Sequence, residues 1–166
     1  GYDHAVTEFA RVSGTVLPTR FFRRMAPELD AGSRTAGGTP VHVQLLGSDP
    51  ACMGDNAAQL ARLAPAGVDL NFGCPAQTVN RHRGGAVLLD DPELLHRIVV
   101  AVRAAVPVSI PLGAKMRLGV ADTGNPADFL DDVERHVVGQ VQRIEGLVGR
   151  THSGQHQDVV GAFLHQ

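Results

Sequence analysis

The chain of 166 residues has no tryptophan, and aromatic residues make up only 4% of it. It also lacks an apolar run of about 18 residues, so no membrane-spanning helix is expected. Its two cysteines, Cys52 and Cys74, are too few for a disulfide framework or a zinc cluster. Its eight histidines follow no HExxH or other close ligand spacing. We therefore expect a cytoplasmic protein with reduced thiols and no bound metal.

The composition is that of a globular domain, because 43% of the residues are hydrophobic and 19% are charged. The formal net charge of −2 predicts no general attraction to nucleic acid, although it leaves room for a local basic patch. The amino-terminal segment GYDHAVTEFARV has no signal-peptide pattern. It does not begin with methionine and resembles the end of a strand, so we expect a fragment of a longer protein.

Three dipeptides mark the starts of helices, because each places an N-cap residue before a proline. They are Asp49-Pro50, Asp91-Pro92 and Asn125-Pro126. Short β-like runs alternate with the amphipathic segments that follow them, at residues 4–9, 41–46, 68–72, 112–118 and 143–148. This alternation predicts an α/β fold with about five parallel strands. A complete (β/α)8 barrel needs roughly 250 residues, so we expect residues 1–166 to form one domain that is a partial TIM barrel.

Polar residues lie toward the carboxyl ends of these strands, where barrels of this kind carry their chemistry. They are Gln44, Asn71, Lys115 and Arg117. A tight turn follows Asn71 and holds Cys74 between a glycine and a proline. A thiol on a rigid turn at this edge is suited to donating a proton to a substrate carbon. The alternative is that Cys74 is a small buried hydrophobic residue, and the turn alone does not decide between the two.

The stretch around Cys74 resembles the motif of the tRNA-dihydrouridine synthases. An Asn-Phe-Gly-Cys-Pro turn at residues 71–75 is followed by Gly-Gly-Ala-Val-Leu-Leu at residues 84–89. Residues 7–9, 43–47 and 115–119 resemble the second, third and fifth barrel strands of that family, in the same order. The likeness is greatest to the bacterial type C branch. It extends over about residues 2–120, and residues 121–166 diverge.

The resemblance implies a chemistry and a set of residues. A member of this family uses FMN, with NADPH as reductant, to reduce a D-loop uridine of tRNA to dihydrouridine. Cys74 would be the general acid, and Gln44, Asn71 and Lys115 would hold the flavin and the flipped base. The alternative for these three residues is that they are solvated polar side chains at the ends of strands, without a role in binding. RNA contacts are expected from Arg81, Arg83, Arg117 and Arg150. The complete parent is expected to be a monomer.

The chain also departs from the family. From the resemblance, we expect this chain to lack the first barrel strand with its Ala-Pro-Met turn, the last two strands and the C-terminal helical domain. Val148 precedes Gly149-Arg150-Thr151, where the family has a histidine. These departures leave open a non-catalytic remnant with weak RNA or partner binding. A dihydroorotate-type dehydrogenase is another FMN barrel, but the Gly-Cys-Pro turn argues against it. We expect residues 1–166 alone to be marginally stable and to reduce uridine at no useful rate.

Overall fold

The computed structural model describes residues 3–74 and 84–117, together with the backbone of two later strands. Four strands alternate with three helices in residues 5–117, and two further strands follow. The strands are β1 (Ala5–Arg11), β2 (Val41–Leu46), β3 (Gly67–Phe72), β4 (Leu112–Arg117), β5 (Ile144–Leu147) and β6 (Val159–Leu164). The helices are α1 (Thr19–Met25), α2 (Pro50–Ala61) and α3 (Pro92–Ala105), and short 3-10 helices span Pro27–Ala31 and Gly85–Asp90.

One sheet contains all the described strands, in the order β1-β2-β3-β4-β6-β5. The first four strands are parallel and are joined through helices, which confirms the α/β fold and agrees with part of a TIM barrel. The fifth parallel strand, expected at residues 143–148, is not found. Residues 144–147 form β5, but β5 is antiparallel to β6, and β6 is antiparallel to β4. The apolar run VVGAFL of β6 suits the neighbour of a buried strand better than the more polar IEGL of β5.

Two of the three expected helix starts are confirmed by their capping bonds. The Asp49 carboxylate accepts a hydrogen bond from Cys52 N at 2.7 Å, and the Asp91 carboxylate accepts one from Leu94 N at 3.1 Å. The proline after each aspartate occupies the start of the helix, where its missing N–H costs nothing. The third expected start, at Asn125, lies outside the described residues. Helix α1 was not expected, because no such capping residue precedes it.

The hydrophobic core lies between the helices and one face of the parallel strands. Alternate residues of the strands supply this face, because successive side chains point to opposite sides of a sheet. They are Ala10, Val43, Leu45, Val68, Leu70, Phe72, Leu112, Ala114 and Met116, and they belong to one cluster with residues of α1, α2 and α3 such as Phe22, Met53, Leu60, Ile98 and Val102. The other face of the same strands is therefore left to the intervening residues, several of which are polar.

A buried asparagine fastens the loop between β1 and α1 to helix α2. Asn56 is fully buried, and its Oδ1 accepts a hydrogen bond from Leu17 N at 2.8 Å. Its Nδ2 donates to Thr15 O at 3.0 Å and to Cys52 O at 2.8 Å. This side chain of α2 hydrogen-bonds backbone groups of the loop, so the loop entering α1 is held against α2.

Candidate active site

Two amides are paired at the carboxyl ends of β2 and β3, on the face opposite the core. Asn71 Nδ2 donates a hydrogen bond to Gln44 Oε1 at 2.7 Å, and each residue is only 6% exposed. Lys115 lies opposite Asn71 in the register of β3 and β4, and its side chain is exposed. The structure therefore brings Gln44, Asn71 and Lys115 onto three adjacent strands at one edge of the sheet.

The turn that carries Cys74 is held by the other end of the Asn71 amide. Asn71 Oδ1 accepts hydrogen bonds from Gly73 N at 3.1 Å and from Cys74 N at 3.0 Å, which is an Asx-type turn. Cys74 O accepts a bond from Ala86 N at 3.0 Å. The backbone of Cys74 is thus fixed on both sides, and its half-buried thiol starts from a defined position beside the paired amides.

The Gly-Gly-Ala segment at residues 84–86 is part of the structure that holds the cysteine turn. Gly85 has a φ of 68°, a left-handed conformation that a residue with a side chain rarely adopts. The chain then enters the 3-10 helix Gly85–Asp90, and Ala86 N reaches back to Cys74 O. The two parts of the motif therefore meet in space, through Cys74 and Ala86, and together fix the backbone of Cys74.

The second thiol has a different setting. Cys52 lies in the first turn of α2, where its backbone N–H donates to the cap residue Asp49. Its Sγ lies 3.5 Å from Thr15 O, in the loop before α1. Both cysteines are free and half-buried, so Cys52 is an internal comparison for Cys74 that lacks the strand-end turn.

Most of the expected RNA-binding residues lie outside the described part of the chain. This holds for Arg81, Arg83 and Arg150. Arg117 ends β4 and pairs with Val159 of β6, but only its backbone is described. Their contribution to RNA binding stays a prediction.

A cluster of three ionisable residues that was not expected from the sequence occupies the same face toward the amino ends of the strands. His42 Nδ1 lies 3.2 Å from Asp69 Oδ2, and the rings of His4 and His42 stack with their centroids 4.1 Å apart. Burial first, and then the charge of His42, lower the pKa of His4, against the opposite effect of Asp69 and Asp3. A Cβ on Gly67 would overlap the His42 ring, so glycine makes room for it.

The geometry of this cluster is that of a packed stack rather than of a preformed metal site. Potential ligand atoms of His4, His42 and Asp69 lie within 4.8 Å of one another. The two imidazole planes, however, are inclined by only 14°. Since a bound ion lies near the plane of each histidine ring that ligates it, the two rings could share one ion only if one of them turned. The alternation of side chains along β2 and β3 could have shown from the sequence that His42 and Asp69 lie on the same face of the sheet.

Of the helices in the described part of the chain, none has the length and apolar character that a bilayer crossing requires. The family model for dihydrouridine synthase (Dus) matches residues 2–141. The tRNA-dihydrouridine(16) synthase of Ralstonia nicotianae is 62% identical over 123 residues, which are 74% of this chain and 38% of that protein. The enzyme of the same name from Cupriavidus necator is 59% identical over 128 residues, covering 77% and 40%. The one from Vibrio cholerae is 52% identical over 132 residues, covering 80% and 41%.

The chain thus spans about two fifths of the length of the curated relatives that it matches. Within that span the family model covers residues 2–141 of 166, including both parts of the cysteine motif. The chain belongs to the dihydrouridine synthase family.

Proposed function

We propose that the protein to which this chain belongs is a tRNA-dihydrouridine synthase that reduces a D-loop uridine of tRNA. The observation that carries the proposal is the hydrogen-bonded unit of Gln44, Asn71 and the Cys74 turn at the carboxyl ends of parallel strands. Relatives of 52–62% identity are named for position 16 of tRNA, which supports that uridine as the substrate. The activity belongs to the complete protein, of which this chain supplies one part.

The residues at this edge have the chemistry that a flavin ring requires. A flavin presents both hydrogen-bond donors and acceptors along its pyrimidine edge and gains negative charge on reduction. Gln44 Nε2 donates no hydrogen bond to another described residue, so it is available as a donor. Lys115 is exposed and pairs with no carboxylate among the described residues. A neutral donor on β2 and a cation on β4, with Asn71 of the intervening strand β3 holding Gln44 in place, therefore fit FMN.

When bound and reduced by NADPH, FMN supplies a hydride for C6 of the uracil ring. The protein supplies the proton. Cys74 Sγ would donate it to C5 of the base, which gives dihydrouridine and leaves a thiolate to be reprotonated from solvent. The rigid turn suits this role, because a general acid is effective only when it is held within reach of the reacting atom. Arg81, Arg83, Arg117 and Arg150 would bind the RNA around the flipped base.

A non-catalytic remnant with weak RNA or partner binding is the second candidate. It is favoured by Val148, which stands before Gly149-Arg150-Thr151 where the resemblance calls for a histidine. Flavin content separates the two candidates. The complete protein is purified, mixed with FMN, freed of unbound flavin by gel filtration and examined for the absorption band of a flavin. A yellow protein that converts uridine in unmodified tRNA, with NADPH present, supports the synthase. A colourless protein without that activity supports the remnant.

The contributions of Gln44 and Lys115 to flavin binding can be tested separately. Gln44→Leu and Lys115→Met should each weaken FMN binding, measured by quenching of flavin fluorescence. Arg62→Met is the control for loss of an exposed cation, since Arg62 lies at the end of α2, away from the strand ends. Unchanged FMN affinity in both Gln44→Leu and Lys115→Met would overturn these two assignments.

A further inference from the structure

A shallow groove beside helix α1 combines positive charge with an aromatic side chain. It is lined by Pro18, Arg20, Phe21 and Arg24, which we call the α1 surface. The helix TRFFRRM contains three arginines and no acidic residue. Phe22 is its buried residue and joins the core, so the helix is anchored by one face and presents its arginines on the other.

Within the described part of the chain, one of the three arginines forms an ion pair and two do not. Arg23 forms an ion pair with Asp30 at 3.1 Å. Arg20 and Arg24 are exposed, and neither pairs with a carboxylate among the residues that the structure describes. Their spacing of four residues places them one above the other on the helix. The charge of the α1 surface is therefore available to an anion from outside.

The aromatic ring adds a second kind of contact. Phe21 is only half-buried, and Arg24 Cζ lies 5.9 Å from the centroid of its ring. A phosphate ion or a carboxylate would use the arginines alone. A polyanion that also offers flat rings and sugars would use the arginines and the ring together, which is the combination found at single-stranded nucleic-acid sites.

The α1 surface is also held in a fixed position relative to the candidate active site. The loop leading to α1 begins at the carboxyl end of β1, next to β2 and its residue Gln44. Asn56 fastens this loop through Leu17 N and Thr15 O, immediately before Pro18. A ligand on the α1 surface would therefore lie beside the loop that leaves the carboxyl end of β1, which is the same end of the sheet that carries Gln44.

We propose that the α1 surface binds the sugar-phosphate backbone of the RNA substrate, with Arg20 and Arg24 at phosphates and Phe21 against a ribose or base. This inference rests on the proposed function for the nature of the substrate. The whole chain has a net charge of −2, so attraction to RNA must come from local surfaces such as this one.

The experiment measures binding of fluorescein-labelled, unmodified tRNA to the chain by anisotropy, between about 50 and 200 mM salt, the range in which phosphate contacts are lost. Arg20→Ala/Arg24→Ala is compared with Arg62→Ala/Arg97→Ala, which removes the same charge from exposed positions on α2 and α3. The first pair should weaken binding about tenfold or more and lower the slope against log salt by about 1.5, since each phosphate contact contributes roughly 0.7–0.9. The control pair should change both far less.

Two further variants separate charge, ring and folding. Arg20→Lys/Arg24→Lys should restore the salt slope, because the charges remain. Phe21→Leu keeps an apolar side chain and should weaken binding a few-fold without changing the slope. Equal loss in the α1 and control pairs, or no measurable tRNA binding by the unsubstituted chain at about 50 mM salt, would overturn the inference. So would equally tight, equally Arg20/Arg24-dependent binding of polyglutamate, which would indicate an acidic protein instead of RNA.

Steady-state kinetics of the complete protein test the RNA-binding role of the α1 surface separately from the proposed function. Arg20→Ala/Arg24→Ala should raise KM for tRNA with kcat unchanged. A loss of kcat with KM unchanged would contradict a binding role. If the complete protein forms no dihydrouridine but the α1 pair still weakens tRNA binding selectively, the proposed function fails and the α1 surface stands.

Discussion

Asn71 uses both ends of one side-chain amide to join two parts of the candidate site. Its Nδ2 donates to Gln44 Oε1 at 2.7 Å, and its Oδ1 accepts from Cys74 N at 3.0 Å. The residue proposed to hold the flavin and the residue proposed to donate the proton are thus oriented by the same buried side chain. The geometry of one cannot change without effect on the other.

Asn71→Ala should free the cysteine turn. The change removes the Asn71 Oδ1 atom that accepts from Gly73 N and Cys74 N, and loss of a partner for a buried donor costs about 1–3 kcal/mol. Alkylation of Cys74 by iodoacetamide should become faster, while that of Cys52 stays the same. Asn71→Asp keeps an oxygen acceptor and should react close to the unsubstituted rate. Equal rates in the alanine and aspartate variants would show that Asn71 does not hold the turn.

Asn56→Ala should destabilise the chain by about 1–3 kcal/mol, since Leu17 N loses its acceptor, while Thr15 O keeps its contact with Cys52 Sγ. Urea unfolding measures this free energy, and limited proteolysis of the loop at residues 13–18 should quicken. Gln59→Ala on the same helix is the control and should change the free energy of unfolding by no more than about 0.5 kcal/mol. A similar effect of the two substitutions would remove the anchoring role of Asn56.

His4 should make the stability of the chain depend on pH. Its pKa in the folded chain is lowered from 6.5, chiefly by burial, so the unfolded state binds more protons near that pH. The free energy of unfolding should therefore fall as the pH falls below about 6.5 toward the folded pKa, and level off below it. His4→Phe preserves a ring to stack on His42 and should flatten this part of the profile. His96→Gln, which removes an imidazole from α3, is the matched control. A profile unaffected by His4→Phe would contradict the effect.

Among the described strands, β1 lies at one end of the sheet, and such an edge favours self-association. It pairs with β2 on one side, and Val6 on it is 44% exposed. Val6→Lys should shift the chain toward monomer in sedimentation velocity, because a lysine at an edge opposes strand pairing. Val100→Lys, at a 39% exposed position on α3, is the matched control. A monomeric unsubstituted chain with a sharp, reversible unfolding transition would refute both the edge argument and the expected marginal stability.

The parts of the fold that local chemistry determines could be predicted from sequence. The Asp-Pro pairs at residues 49–50 and 91–92 fixed two helix starts, and the apolar runs fixed β2, β3 and β4 to within one residue at each end. The pairing of residues 144–147 could not be predicted, because strand direction depends on which partner is available. Helix α1 escaped notice since its start carries no capping side chain. Its exposed arginines were missed with it.

The candidate site also contains features that could be predicted from the sequence and features that could not. The strand-end positions of Gln44, Asn71 and Lys115 followed from the alternation of strands and helices. The hydrogen bonds between Gln44, Asn71 and Cys74 did not, because they depend on strand register and side-chain rotamer. The stack of His4 on His42 was hidden for a similar reason, as its members lie 38 residues apart in sequence.

The most direct test of the proposed chemistry is the rate of dihydrouridine formation by the complete protein, with FMN, NADPH and unmodified tRNA, in Cys74→Ala and Cys52→Ala variants. Loss of a positioned general acid typically costs about 10²–10⁴-fold in rate. We predict a loss of that order for Cys74→Ala, with flavin binding retained, and a nearly normal rate for Cys52→Ala. Full activity of Cys74→Ala, or an equal loss in both variants, would contradict it.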